Sequence, residues 1–213
     1  MVMVFDDRRD AGRRLGVRLR AFAKENPTVF GLARGGVPVA AEVAGALGAP
    51  LEVLVVRKLG APRQRELAVG AIAEDGTTVL DMDLARRVGM SQAALERTVA
   101  RETRELHRRV ERYRDGRERL DAHDRTVIVA DDGLATGLTD LVAVRFLRGC
   151  GARRIVVAVP VGSHQAVTLL RQEADEVVCL SIPDELESVG QWYRDFSPTG
   201  DEEVLGLLSG ATR

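Results

Sequence analysis

The chain is short of lysine. Of its 31 basic residues only Lys24 and Lys58 are lysines, and the rest are arginines. Each lysine therefore marks either a chance survival or a place where a compact point charge serves better than a planar fork. Cysteine is scarce too. Cys150 and Cys179 stand alone without a C-x-x-C pair, and each reads as a small buried hydrophobe. His107, His123 and His164 are scattered, and none sits at ligand spacing with another His or Cys, which argues against a zinc site. The net charge of −1 supplies no global basic field, so no nucleic-acid partner is expected and any anion binding must come from a local site. No apolar run approaches the roughly 20 residues that span a bilayer, so no membrane partner is expected. The opening "MVMVFDDRRDAGRR" lacks the basic, apolar, small-residue order of a signal peptide. These absences lead us to expect a cytoplasmic protein.

What remains is ordinary globular composition. With 213 residues, 45% hydrophobic and 30% charged, the chain suffices for a single domain over 1–213 with a full core. Asp6 or Asp7 can cap a first helix whose Ala11, Leu15, Leu19 and Phe22 share a face, ended by Asn26-Pro27. "TVFGL" (28–32) reads as a buried strand, then "ARGG" as a tight loop and "VPVAAEVAGAL" (37–47) as a helix. "LEVLVVRKL" (51–59) reads as one second strand, and "GAPRQRE" (60–66) as a mobile loop. "LAVGAIA" (67–73) and "TTVLD" (77–81) form a hairpin around Asp75-Gly76. A long helix over about 91–114 carries Leu95, Val99, Leu106, Val110 and Tyr113 as one apolar stripe, which must pack on the body or on another subunit. Strands at 126–130, 154–160 and 176–181 then alternate with helices at 139–151 and 163–174. Such alternation predicts an α/β fold with an open, mostly parallel sheet and helices on both faces.

In open α/β sheets ligands bind beyond the carboxyl ends of the strands. Three such ends carry chemistry here. Ala33-Arg34-Gly35-Gly36 can be a plain turn, or a nest of backbone N–H groups that holds an anion. Arg57-Lys58 ends an apolar strand with two cations, which suit polyphosphate or simply solvate a turn. Asp131-Asp132 closes the strand "TVIVA", where two adjacent carboxylates repel and call for ribose hydroxyls or hydrated Mg²⁺. The loop Gly133 to Thr139 then offers N–H and O–H donors at a helix start, a cradle for a phosphate monoester. One element could thus hold sugar hydroxyls with its acids and a phosphate with its loop.

"VIVADDGLATGLTD" resembles the 5-phosphoribosyl 1-diphosphate (PRPP) motif of type I phosphoribosyltransferases. "GLARGG" is similar to that family's pyrophosphate loop, and "VVRK" with the following segment to its second strand, basic residues and catalytic lid. The chain resembles a bacterial group of phosphoribosyltransferases of unassigned substrate. The resemblance implies Mg²⁺-dependent transfer of ribose 5-phosphate from PRPP to a nitrogenous base or amine, with release of pyrophosphate. Asp131 and Asp132 would bind the ribose 2- and 3-hydroxyls and meet Mg²⁺ through water. In the motif Gly133, Leu134, Ala135, Thr136, Gly137, Leu138 and Thr139 follow, and Ala135 to Thr139 would hold the 5-phosphate. Ala33, Arg34, Gly35 and Gly36 would hold pyrophosphate, often with a cis non-proline peptide in this family, while Arg34 and Lys58 neutralise it. Lys58, Arg34, Asp131 and Asp132 form the implied catalytic set.

"WYRDF" is similar to the hood of purine-salvage members, where Arg194 would reach pyrophosphate and Asp195 would lie near metal and base. Trp192, Tyr193 or Phe196 could stack on the base, or be core. The implied layout adds a helical insertion at about 83–122, a C-terminal hood at about 182–213, and a homodimer as the working form. Two departures stand out. Gly133 replaces an apolar residue and is expected to loosen the loop. Ala135 replaces an Asp proposed as general base in 6-oxopurine enzymes, which argues against hypoxanthine or guanine. A non-catalytic PRPP sensor and an assembly module built on the long helix are the competing readings. "DMDLA" (81–85) and "VGSHQ" (161–165) match no aspartyl-phosphate or G-x-S-x-G motif.

Overall fold

The structure, a computed structural model, describes residues 4–61, 64–114 and 121–211. It begins with helix α1, Arg8–Leu19, capped by Asp7, whose Oδ1 accepts from the Asp10 N–H at 2.7 Å. A 3-10 segment, Arg20–Glu25, follows and ends at Asn26 in the left-handed region. Strand β1, Thr28–Leu32, is buried throughout. It feeds α2, Gly36–Leu47, and then β2, Leu51–Leu54.

The expected single strand over 51–59 is in fact two. After Val55 the chain leaves the main sheet as β3, Val56–Ala61, which pairs antiparallel with β4, Gln64–Ala73, and so with β5, Thr78–Leu80. An unbroken run of Leu and Val hides this change of sheet, because the residues are apolar and buried on both sides of the corner. Residues 60–61 therefore end β3 and residues 64–66 begin β4. Residues 62–63, at the centre of the expected lid, lie outside the described residues. The hairpin about Asp75-Gly76 is present as expected.

Helix α3, Met82–Arg87, capped by Asp81, was not expected. Helix α4, Gln92–Arg114, is the long amphipathic rod. Leu95, Leu106 and Tyr113 are buried, and Leu106 and Tyr113 join the same cluster as Val29, Val43 and Leu59, with Val99 and Val110 packed against it. The stripe thus packs on its own chain. Residues 115–120 of the insertion lie outside the described residues. The second half then runs β6, Thr126–Ala130; α5, Leu138–Gly149; β7, Arg154–Val161; α6, His164–Leu170; and β8, Glu176–Ser181. A 3-10 turn, Val189–Trp192, and α7, Asp201–Gly210, complete the described chain.

The main sheet has the order β2-β1-β6-β7-β8, and every neighbouring pair is parallel. Its two faces bury separate clusters. Ile128 and Ala130 of β6 pack towards α1 and α2, while Val127 and Val129 pack towards α5. That alternation is the period-2 rule applied to a strand covered on both sides. Strand order reverses between β1 and β6, since β1 leads outward to β2 and β6 leads the other way to β7. A crevice opens at such a switch point, outside the carboxyl ends of the strands.

Candidate active site

Parallel register sets Gly31 beside Ala130, so the residues after β1 and β6 emerge side by side. After β1 come Ala33 and Arg34, joined by a cis peptide bond. The Ala33 N–H donates to the Leu54 carbonyl at 3.0 Å, which ties the loop to β2. Gly36 opens α2 against the other loop: a Cβ there would lie 2.5 Å from the Ala130 oxygen and 2.8 Å from Asp131 Cα. A Cβ on Gly35 would collide with the Asp132 carboxylate. Gly36 is thus required by close approach of two backbones, and Gly35 by the seat of the Asp132 side chain.

The loop after β6 is fixed by its neighbour β7. The Leu134 N–H donates to Val161 O at 2.9 Å, the Ser163 N–H to Leu134 O at 2.9 Å, and Ser163 Oγ to Ala135 O at 2.9 Å. Leu134 itself is fully buried, so only its backbone serves the loop. Gly137, at φ 75°, makes the left-handed turn into α5. Gly133 does not loosen this loop. A Cβ there would lie 2.6 Å from Val189 Cγ1 and 3.1 Å from Val161 Cγ1, so the glycine lets the 189–192 turn pack directly on it.

Between these loops lies a cleft of about 320 Å³. Ala33, Arg34, Gly35, Lys58, Asp131, Gly133, Ala135, Thr136, Gly137, Leu138 and Thr139 all line it. All three strand ends singled out by the sequence therefore meet at one site. Gly36, Asp132 and Leu134 are not among the lining residues. Arg57, the partner of Lys58 in the expected cationic pair, also lines it, and Leu32, Val56, Ala68 and Asp140 line it without having been expected.

The acid pair is electrostatically uneven. Burial, then the charges of Asp140 and Asp132, push the Asp131 carboxyl well above the usual carboxylate range. Burial also raises Asp132, but Arg8 opposes it, with Nε 2.8 Å from Asp132 Oδ2. Arg8 further donates to Ser197 O at 2.7 Å and stacks 3.9 Å above the Phe196 ring. Asp140 is a third buried carboxyl, raised to about 7 by desolvation, with Oδ1 unpartnered and Oδ2 accepting from Thr139 Oγ1 at 3.2 Å. Sequence reasoning missed Arg8 and Asp140. Arg8 pairs across 124 positions, and Asp140 reads as a routine acid in a helix's first turn, so neither leaves a local signal.

The hood residues lie apart from this cleft, and for the aromatic pair the core alternative holds. Trp192 and Tyr193 are buried with Phe5, and Tyr193 Oη donates to Asp132 O at 2.6 Å. Their rings are core, and Tyr193 clamps the acid loop instead of facing a ligand. Arg194 is exposed and pairs with Asp6 at 2.8 Å, while Asp195 accepts from the N–H and Oγ of Ser197. None of the four lines the cleft. On Arg57 the expected cationic pair also divides: Nε and Nη2 donate to Glu102 Oε2 at 3.0 and 2.6 Å. Among the described residues no group of three or more His, Cys, Asp or Glu forms a metal cage, and no helix is long and apolar enough to cross a membrane.

Residues 9–196 match the family described as phosphoribosyl transferase domain. A Mycobacterium tuberculosis protein provisionally named a phosphoribosyl transferase is 49% identical over 210 residues. That match covers 99% of this chain and 47% of the relative, so the chain spans about half the length of its curated relative. The crystal structure of TT1426 from Thermus thermophilus superposes with a TM-score of 0.79 at 45% identity, covering 97% of this chain and 98% of that one. With the strand-end loops and their cleft in place, these matches carry one conclusion: the chain belongs to the phosphoribosyl transferase family.

Proposed function

We propose that the protein transfers ribose 5-phosphate from PRPP to a nitrogenous base or amine, with release of pyrophosphate. The observation that carries this reading is the meeting of Arg34, Lys58, Asp131 and the 135–139 loop around one cleft. PRPP has matching parts in the same sequence: a pyrophosphate, a ribose diol and a phosphate monoester. The backbone and Arg34 of the first loop bind the pyrophosphate, and Lys58 adds a point charge. Asp131 accepts from the ribose hydroxyls. The N–H groups of residues 135–139, at the start of α5, hold the 5-phosphate.

Transfer breaks the bond between ribose C1 and a pyrophosphate oxygen, and the electron pair leaves with pyrophosphate. A bond from C1 to the acceptor nitrogen forms, and that nitrogen then loses a proton. Negative charge grows on the leaving group, so donors aimed at it lower the barrier, and a site that excludes water prevents hydrolysis. The donor set also fits magnesium. It is all oxygen, and Arg8, the cation that acts on the raised carboxyl of Asp131, is paired with Asp132 instead. Asp131 would meet the ion, directly or through water, and the ion would supply charge neutralisation to the pyrophosphate. Asp132 supports Asp131 from behind, because Arg8 already occupies its carboxylate.

Incubation with PRPP, Mg²⁺ and a panel of bases and amines, assayed for pyrophosphate, tests the activity. Acceptor-dependent pyrophosphate release is expected. PRPP binding without release for any acceptor would favour the sensor reading and overturn catalysis.

A further inference from the structure

A second set of charges meets Arg34 from outside the cleft. Asp201 opens α7, and its Oδ1 lies 3.5 Å from Arg34 Nη1. The same oxygen accepts from Tyr113 Oη at 2.6 Å. Arg112 Nη1 approaches Asp201 Oδ2 at 3.4 Å, while its Nη2 reaches Glu202 at 2.6 Å. Tyr113 is 2% exposed. Tyr113 and Arg112 belong to the last turn of α4. Earlier along the same helix, Glu102 takes Arg57 of β3 and is itself met by Arg101 at 2.9 Å. Helix α4 therefore meets one cleft cation, Arg57, directly and a second, Arg34, through Asp201 of α7.

Two effects of Asp201 oppose each other. A carboxylate near an anion site repels the ligand. Against that, it restricts Arg34, a long side chain on a glycine-rich loop, so less rotamer freedom is lost on binding. The Tyr113 hydrogen bond, then Arg112 and Arg34, hold the Asp201 carboxyl below the usual range, so it is ionised and already compensated. Repulsion is thereby blunted, and the restriction of Arg34 remains.

We propose that Asp201, clamped by Tyr113 and Arg112, is a positioning residue that aims Arg34 at the pyrophosphate subsite, which makes α4 a working part of the site. The proposal rests on the transfer reading above. Wild type, Asp201→Ala, Asp201→Asn and Tyr113→Phe are titrated calorimetrically with Mg²⁺-pyrophosphate and, separately, with ribose 5-phosphate. Asp201→Ala should bind pyrophosphate about tenfold more weakly, the scale of one hydrogen bond to a charged group. Asp201→Asn keeps an acceptor for Arg34 and should fall within about threefold of wild type, with ribose 5-phosphate affinity unchanged in both. Wild-type pyrophosphate affinity in Asp201→Ala, tighter binding by both variants, or equal loss of both ligands would overturn the positioning role. Should Asp201→Ala fail to fold, Tyr113→Phe decides: a loss confined to pyrophosphate supports the role, and unchanged affinity refutes it. A wild type that binds neither ligand overturns the transfer reading itself, a result distinct from the others.

Discussion

Lys58 is one of two lysines in the chain, and it lies in the cleft beside an arginine committed elsewhere. Arg57 turns to Glu102 of α4, so its charge is matched within the protein. Lys58 is assigned to the leaving group by its place in the cleft and the compact point charge of its ammonium. Replacing it with Ala should lower turnover by roughly 10²–10³, the usual effect of removing one such donor. Steady-state kinetics that return near wild-type turnover would refute the assignment. Asp140 offers a test by pH. Its folded-state value of about 7 exceeds the ordinary 3.8, so between those values the folded state holds a proton that the unfolded state has lost. Wild-type stability therefore falls as pH rises through that window. Asp140→Asn is free of this penalty, so its melting temperature should gain on wild type from pH 5 to pH 8, by roughly 2–8 °C at the upper end. A gap that stays constant with pH would contradict the burial argument.

At the scale of elements, the two glycine loops are positioned by strands and stapled by neighbours. Strand ends, their loops and the following helices were readable from the sequence, because apolar runs bounded by glycine and paired acids leave a local trace. Three features were not. The corner at Val55 is silent, since both strands are apolar. The Arg8–Asp132 pair joins α1 to the loop after β6 by tertiary geometry alone. The aromatic trio near the C-terminus was seen, but only packing decides between stacking platform and core, and Phe5 with Val161 makes Trp192 and Tyr193 core. Gly133 shows the same limit, because Val189 explains it and lies 56 positions away in the same chain. For α4, the sequence left two partners open. Leu106 is 1% exposed within the main cluster. Leu106→Ala should cost about 2–5 kcal/mol in denaturant unfolding, the range for a buried Leu truncation, without changing molar mass in solution. Full stability with a changed mass would put the helix in an intermolecular contact instead.

At the scale of the whole molecule, the fold serves the site by reversing strand order between β1 and β6. That reversal brings the glycine loop at 33–36 and the acid loop at 131–139 to one crevice, which Lys58 of the second sheet also lines. The central claim is that one ligand spans all three, and competition calorimetry tests it most directly. PRPP with Mg²⁺ is titrated into the protein alone, into protein preloaded with pyrophosphate, into protein preloaded with ribose 5-phosphate, and into Asp131→Asn. The account predicts binding by the free protein, weakened by each fragment separately and abolished or severely reduced in the variant. Binding that either fragment leaves untouched, or that survives unchanged in Asp131→Asn, would contradict it.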